Sequence, residues 1–111
     1  MPAPKDETVE DWPGVDGLDR LLSHRSRLAV CVLLSRVDSL SFARLKELLE
    51  ESDGSLGAHL RKLEEADYIN VRKEFVDRKP ISWYTLRAKG RKALVAHLKS
   101  LTQLIGHAGR G

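Results

Sequence analysis

The sequence is poor in the residues that build a disulfide framework or a membrane span. It contains a single cysteine, Cys31, which excludes an internal disulfide and is typical of a reducing cytosol. Its longest strictly apolar run, Leu28 to Leu34, is far shorter than the ~20 residues needed to cross a bilayer. The start is acidic and Pro-rich instead of basic and then apolar, so we expect no secretory signal. A single small cytoplasmic domain is therefore expected, with no membrane partner.

Charge is distributed unevenly along the 111 residues. The first 19 residues carry six acids and one base, a net −5, whereas the remaining 92 carry 18 bases and 10 acids, a net +8. The stretch from Arg78 to Lys99 has seven bases and no acid. A body with this excess attracts polyanions, above all nucleic acid, although charge alone indicates a solvated basic surface equally well.

The two ends of the chain differ in composition from its centre. Residues 1–14 are acidic, contain three of the four prolines and show no apolar period, so we interpret them as a mobile arm. Residues 106–111 are rich in glycine and are expected to fray, which leaves residues 15–105 as the folded domain. The acidic arm could cover the basic body as an intramolecular mimic of DNA.

Leucine spacing and polar caps predict the helices. We expect a short helix around residues 18–22 and a longer one over about residues 26–37. Ser41 is a candidate N-cap for the next helix, whose apolar residues recur at helical spacing. Ser52-Asp53-Gly54 breaks that helix and caps another, which ends near Ala66-Asp67.

After Asp67 the pattern changes from helix to strand. Residues 68–76 and 81–86 are rich in β-branched and aromatic residues, and the polar segment 77–80 between them is turn-prone, which predicts a β-hairpin. A last helix is expected over about residues 88–105. Two helices joined by a short Gly-containing turn and followed by a hairpin form a winged helix-turn-helix, so the predicted fold class is mainly α with a β-hairpin (α+β).

Three segments share their residue pattern with a known group of proteins. They are Phe42-x-x-Leu45-x-x-Leu48-Leu49, then Ser52-Asp53-Gly54-x-Leu56-x-x-His59-Leu60-x-x-Leu63-x-x-Ala66-x-Tyr68-Ile69, and Trp83-Tyr84-x-Leu86-x-x-x-Gly90-Arg91. Together these segments resemble the MarR/ArsR-type winged-helix transcriptional regulators, and most of all their small winged-helix DNA-binding domain subgroup, over roughly residues 17–104. Two positions depart from that pattern: Asp67 replaces the usual glycine, and Arg87 replaces the usual capping threonine.

The helix after Ser52 is the candidate recognition helix, which in this fold enters the major groove of double-stranded DNA. Successive residues of an α-helix are rotated by about 100°, so Leu56, Leu60 and Leu63 of this helix lie on one side of it. The DNA-binding residues expected on the other side and its flanks are Gly54, Ser55, Gly57, Ala58, His59, Arg61 and Lys62. For His59 we favour packing or a phosphate contact over base reading. An ordinary amphipathic helix with an Arg61–Glu65 pair is the alternative.

The hairpin is the candidate wing. We expect it to contact the minor groove or flanking phosphates. Its candidate DNA-binding residues are Lys73, Arg78, Lys79 and Pro80, of which Pro80 should stiffen the turn. The alternative is that these charges are simply solvated.

Apolar residues near both ends of the domain predict a homodimer interface, as the resemblance also implies. They are Leu18, Leu21, Leu22, Leu94, Leu98, Leu101 and Ile105. The alternative is that the last helix folds back on its own domain. A dimer would place two recognition helices about 34–36 Å apart, one turn of DNA, and so read a palindrome.

No catalytic pattern is present, so we expect a chain that is not an enzyme, with no catalytic residues, metal site or cofactor. Cys31 is interpreted as a buried small hydrophobe rather than a redox switch, and Glu50/Glu51 and Glu64/Glu65 as solvated faces. Trp83 and Tyr84 could line a pocket for an unknown small-molecule effector, although strand aromatics more often belong to the core.

The function predicted is a sequence-specific transcriptional regulator, most simply a repressor. The alternative is a winged-helix protein-interaction module that does not read DNA.

Overall fold

The computed structural model describes residues 14–109, which form four α-helices, a 3-10 turn and a three-stranded sheet. The 3-10 turn, Leu21–Ser23, comes first and is followed by α1, Arg25–Leu34. The remaining elements are β1 (Leu40–Ser41), α2 (Phe42–Leu49), α3 (Asp53–Glu65), β2 (Ile69–Val76), β3 (Lys79–Leu86) and α4 (Ala88–Gly109). The winged helix-turn-helix predicted from the sequence is confirmed, with α2 and α3 as the helix pair and β2–β3 as the wing.

Two serines begin the helices of the helix-turn-helix. The Ser41 hydroxyl accepts a hydrogen bond from the Arg44 N–H at 3.1 Å, which confirms Ser41 as the N-cap of α2. The Ser52 hydroxyl accepts from the Ser55 N–H at 3.2 Å and caps α3 in the same way. Each cap satisfies a donor that the first helical turn would otherwise leave without a partner. The sequence therefore sets the start of both helices locally.

The sheet has the order β1-β3-β2 and is antiparallel throughout. β1 pairs with β3 only at Leu40 and Ser41, and two residues are too few to show an alternating pattern, so the sequence did not predict this strand. The wing turn is also tighter than expected, because Lys79 already pairs with Val76. Asp77 and Arg78 form this two-residue turn at φ 51° and 66°, as a hairpin turn that follows the natural strand twist requires.

One hydrophobic core joins the helices to the sheet. The core residues of β2 and β3, which are Ile69, Val71, Tyr84 and Leu86, all lie on one face of the sheet, so the helices pack on that face. Cys31 is fully buried in this core, and burial, with a smaller effect of Asp19, raises the pKa of its thiol to about 12. This supports its interpretation as a small buried hydrophobe.

The ends of several elements differ from the sequence prediction. α1 stops at Leu34, three residues early, and the Ser35 hydroxyl donates a hydrogen bond to the Val32 carbonyl at 2.6 Å at this end of the helix. α4 continues to Gly109, so residues 106–109 of the expected frayed tail are helical. A glycine weakens a helix by about 1 kcal/mol but does not stop it. Residues 110–111 and residues 1–13 of the acidic arm lie outside the described residues.

Residues 14–17 lie against the second half of α4. A Cβ atom on Gly14 would lie 2.5 Å from the Ser100 carbonyl oxygen, and one on Gly17 would overlap the Ser100 hydroxyl. Gly14 also has φ 98°, a conformation that favours glycine. Gly14, which the sequence analysis counted with the arm, is therefore packed against α4. No helix within residues 14–109 is long and apolar enough to cross a membrane.

Candidate nucleic-acid interface

α3 has a buried side and an exposed side, divided as the leucine spacing predicts. Leu56, Leu60 and Leu63 are almost completely buried. The exposed side carries Gly54, Ala58, Arg61, Lys62 and Glu65, while Ser55, Gly57 and His59 are half-buried at its margins. The helix therefore presents small residues in its first turns and two cations one turn further on.

Neither glycine of α3 is required by the fold. A Cβ atom placed on Gly54 or on Gly57 would meet no atom within 4 Å, and neither residue has a positive φ. Glycine inside a helix is nevertheless about 1 kcal/mol less favourable than alanine. The first two turns of α3 therefore leave free space beside the helix backbone. The two glycines lower the stability of the helix, and the packing of the domain does not explain why they are there.

The side chain of His59 is half-buried and packs against the start of α1. Its ring centroid lies 4.2 Å from that of His24, and its Nδ1 lies 3.1 Å from an Arg27 guanidinium nitrogen. Desolvation lowers the pKa of His59, and the nearby His24 and Arg27 lower it further. A neutral Nδ1 can then accept the Arg27 hydrogen bond. The structure thus places His59 in the packing between α1 and α3, and it adds His24 and Arg27, which sequence reasoning missed.

Glu51 joins the first turn of α3 to the start of α1. It accepts a hydrogen bond from the Ser55 hydroxyl at 2.9 Å and another from the Ser26 hydroxyl. These two bonds, Ser26 first, lower the pKa of the Glu51 carboxyl. The expectation that Glu51 belongs to a purely solvated face is therefore wrong. Ser55 has a positioning role here, because its hydroxyl holds the N-terminal end of α3 in place.

The candidate DNA-binding residues of the wing are all exposed: Lys73, Arg78, Lys79 and Pro80. Arg78 occupies the turn, and Lys79 is the first residue of β3. Pro80 lies within β3, opposite Phe75, and not in the turn as the sequence suggested. The ring is tolerated there because β1 reaches only Trp83 and Tyr84, so no strand pairs with the outer edge of β3 at Pro80.

The acid in the middle of the wing has two partners on the face of the sheet away from the helices. Glu74 pairs with Arg72 at 2.6 Å and accepts a hydrogen bond from the Trp83 indole N–H at 2.8 Å. These bonds, that of Arg72 first, lower the pKa of Glu74. Since Glu74 and Arg72 largely cancel each other, the charge that remains on the wing comes mainly from Lys73, Arg78 and Lys79.

Comparison with known proteins identifies this architecture. The model of the family described as "winged helix DNA-binding domain" matches residues 26–105. The chain belongs to this winged helix DNA-binding domain family. A relative in Methanocaldococcus jannaschii, an uncharacterized protein, is 31% identical over 78 residues, which cover 70% of this chain and 85% of the relative.

Solved structures show the same winged helix fold. A transcriptional regulator homologue from Pyrococcus horikoshii has a TM-score of 0.75 at 23% identity, covering 81% of this chain and 89% of its own. YusO from Bacillus subtilis has a TM-score of 0.72 at 15% identity, with 96% and 84% covered. Apo MarR from E. coli has a TM-score of 0.61 at 14% identity, with 96% and 87% covered. The fold is thus the one used by MarR-type transcriptional regulators.

In this winged helix domain the terminal apolar residues fall into three groups according to their exposure. Leu22 and Leu94 are 0% and 4% exposed and belong to the core of the chain, so they have no surface to offer a partner. This corrects the prediction for these two residues, because the sequence pattern alone does not show which apolar residues the core of the same chain covers. Leu98 and Ile105 are exposed, and so is Val95, whereas Leu18, Leu21 and Leu101 are half-buried.

The strand aromatics of the domain have separate surroundings. Tyr84 is buried in the core, whereas Trp83 lies on the other face of the sheet and lines an open groove of about 540 Å³. This groove lies between the start of α2 and the first half of β3, and Phe42, Lys73 and Pro80 also line it. Within residues 14–109 no group of three or more His, Cys, Asp or Glu side chains is arranged to hold a metal ion.

Proposed function

We propose that this winged helix domain is a sequence-specific transcriptional regulator that binds a palindromic operator as a homodimer, most simply as a repressor. α3 would enter the major groove, and the wing would contact the minor groove or the backbone. The observation that carries the proposal is the open space at Gly54 and Gly57, two helical glycines for which the fold has no need. A regulator of this kind would work in the cytoplasm, where bacterial and archaeal DNA is found.

The recognition face of α3 suits a duplex. With no side chain at Gly54 and Gly57 and only a methyl at Ala58, the helix backbone can approach the base edges closely. Arg61 and Lys62 are exposed one turn later, where they can reach a guanine or flanking phosphates. Ser55 and His59 would act less directly, because their side chains already bind Glu51 and Arg27.

The exposed apolar side of α4 supports the homodimer. Val95, Leu98 and Ile105 are 61%, 41% and 70% exposed on a 22-residue helix. A second copy of α4 would bury these side chains in a two-fold interface, and each copy would cover the same patch of the other. Such a dimer can place two α3 helices one turn of DNA apart.

Recovery of bound fragments from the host genome is the experiment that tests the proposal. Purified protein should retain a small set of fragments that share an inverted repeat, and binding to them should weaken steeply with salt, with a slope of about 0.9 per phosphate neutralised. Failure to form a complex with any fragment, even at low salt, would contradict DNA binding. A shared site without two-fold symmetry would contradict the dimeric operator alone.

A protein-interaction module is the second candidate, because three acids lie near the recognition face. Glu65 and Asp67 are exposed and Glu64 is half-buried, and among residues 14–109 only Asp67 of these three forms an ion pair, with Arg87 at 3.7 Å. Retention on heparin and on random-sequence DNA separates the candidates. A module that binds only proteins should elute from both at low salt, whereas a DNA-binding domain should need much more.

A further inference from the structure

Phe75, near the tip of the wing, is 77% exposed, the greatest exposed fraction among the exposed large apolar side chains of residues 14–109. Its cross-strand neighbour is Pro80, which is also exposed. An aromatic ring in this position adds nothing to the core, because the core cluster includes no residue of β2 beyond Val71. The fold therefore gives no reason for a phenylalanine here.

Strand alternation fixes the direction in which Phe75 points. Successive side chains of a strand point to opposite faces, so Phe75 shares a face with Val71 and Ile69, the side on which the helices pack. At about 3.3 Å per residue it lies roughly 13 Å beyond Val71 along β2. Phe75 thus projects past the body on the side of the sheet that also carries α3, and it would flank a ligand held by that helix.

The charges around Phe75 favour a polyanion as the ligand. Lys73 lies on the same face two residues earlier, and Arg78 and Lys79 lie at the tip. Glu74 points to the opposite face and is paired with Arg72, so Asp77 is the acid that remains at the tip. A large apolar ring framed by three cations is complementary to a duplex, whose phosphates flank a groove with apolar sugar and base surfaces.

We propose that Phe75 is an apolar wedge that enters the minor groove beside the recognition site and partly unstacks one base step, while Lys73, Arg78 and Lys79 hold the flanking phosphates. The proposal rests on the proposed DNA-binding function and adds a residue that sets specificity without hydrogen-bonding a base. Wedges of this kind bend DNA away from the groove they enter. Pyrimidine–purine steps unstack most easily, so the wing should favour operators with such a step at its contact.

The test uses a duplex of about 30 base pairs, three helical turns, that wild-type protein selects from a random pool. F75A should bind this duplex roughly ten- to hundredfold more weakly, the range found where an aromatic ring stacks on a base. Its salt slope should equal that of the wild type, because phenylalanine neutralises no phosphate. F75L keeps an apolar wedge and should retain most of the affinity. The matched control is V76A, which removes an exposed apolar side chain from the opposite face of the same strand.

Base unstacking is detected with the fluorescent base 2-aminopurine, which replaces in turn each adenine that the wing can reach. Wild-type protein should raise its fluorescence at one step, and F75A should not. Thermal unfolding should show that F75A and V76A are folded like the wild type, since both side chains are exposed.

The outcomes separate the wedge from the proposed function. If wild-type protein binds the duplex and F75A binds it equally well, the wedge is wrong and the regulator stands; a Phe75 that docks on a protein partner would give this result. If F75A loses affinity but the fluorescence change persists, unstacking does not depend on Phe75 and the wedge is again wrong. If wild-type protein selects no duplex at all, the proposed function itself fails.

Discussion

The hydroxyl of Tyr68 donates a hydrogen bond to Oδ2 of Asp19 across 49 residues of sequence. The other carboxylate oxygen of Asp19 accepts the N–H groups of Leu21 and Leu22 at 2.8 and 3.1 Å, and the N–H of Asp19 itself donates to Nδ1 of His97 at 2.9 Å. Tyr68 follows α3, and His97 is buried in α4. Asp19 therefore connects the segment that follows α3, the segment before α1 and the terminal helix α4.

Replacing Asp19 should destabilise the domain. D19A leaves the Tyr68 hydroxyl and two N–H groups without their acceptor, and the loss of hydrogen bonds to a charged group should cost about 2–3 kcal/mol. Urea unfolding at pH 7 measures this cost. D16A, which removes an exposed acid three residues earlier, is the matched control and should be nearly neutral. Equal stabilities of D19A and D16A would refute the connecting role of Asp19.

Replacing Gly57 should stabilise the protein and weaken its DNA binding. G57A places a methyl in open space within a helix, so it should gain about 0.5–1 kcal/mol of stability while it obstructs the approach of the duplex. G106A makes the same change in α4, also in open space, and should gain stability without any loss of affinity. Thermal unfolding and fluorescence-anisotropy titration measure the two effects. A G57A protein that binds DNA as tightly as G106A would contradict close approach of α3.

Cations of the wing and of α3 should affect binding differently. The double variant R78A/K79A should weaken binding to all sequences alike and lower the salt slope by about 0.9 for each phosphate that is no longer neutralised. R61A should weaken binding as well and relax the preference at one base pair if Arg61 reaches a guanine. Arg36, an exposed cation just beyond the C-terminal end of α1, supplies the control R36A. If R36A lowered affinity and slope as much as R78A/K79A, the wing would have no special role.

Stability should fall as the pH drops through the histidine range. The pKa of His59 is lowered in the folded protein, so the unfolded chain binds a proton at this residue first. The stability that His59 contributes is therefore fully present above its pKa in the unfolded chain, about 6.5. It is lost as the pH falls from there toward the lower pKa of His59 in the folded protein. Glu51 adds nothing in this window, because its pKa is lowered from 4.5 and its contribution disappears only under more acidic conditions.

The variant H59Q isolates this effect. Glutamine can still accept a hydrogen bond from Arg27 but does not titrate. Urea unfolding at pH 7.5 and pH 5.5 should show a larger loss of stability for the wild type than for H59Q. An equal loss in the two proteins would exclude His59 as the source.

Charges placed on the exposed side of α4 should separate the proposed dimer. Leu98 and Ile105 are exposed, so L98E and I105E should fold normally, but each would bury an unpaired carboxylate in the interface. Sedimentation velocity should show a dimer for the wild type and monomers for both variants. V37E, at an exposed valine outside α4, should remain dimeric. Dimers of L98E and I105E that are as stable as those of the wild type would place the interface elsewhere.

The sequence by itself determined the local features of the domain. Ser41 and Ser52 fix the starts of α2 and α3 because each cap needs only a donor three residues away. The leucines of α3 fix its buried side, since helical periodicity is a property of the chain alone. The strand pattern after Tyr68 likewise fixes the wing, and Asp67 takes the left-handed conformation, φ 64°, that the sequence resemblance led us to expect at this position.

Only the tertiary structure decided which of several similar residues meets which neighbour. Leu94 and Leu98 continue one stripe, yet the first is buried in the core and the second is exposed, because the body of the domain covers only part of α4. The contacts of Glu51 with Ser26 and of Arg27 with His59 join residues 25 and 32 positions apart, so no local pattern could predict that these side chains hold α3 against α1. Exposure of Phe75 depends in the same way on where the core ends. Periodicity gives a side chain its direction, but burial and partners depend on what the rest of the chain brings to that side.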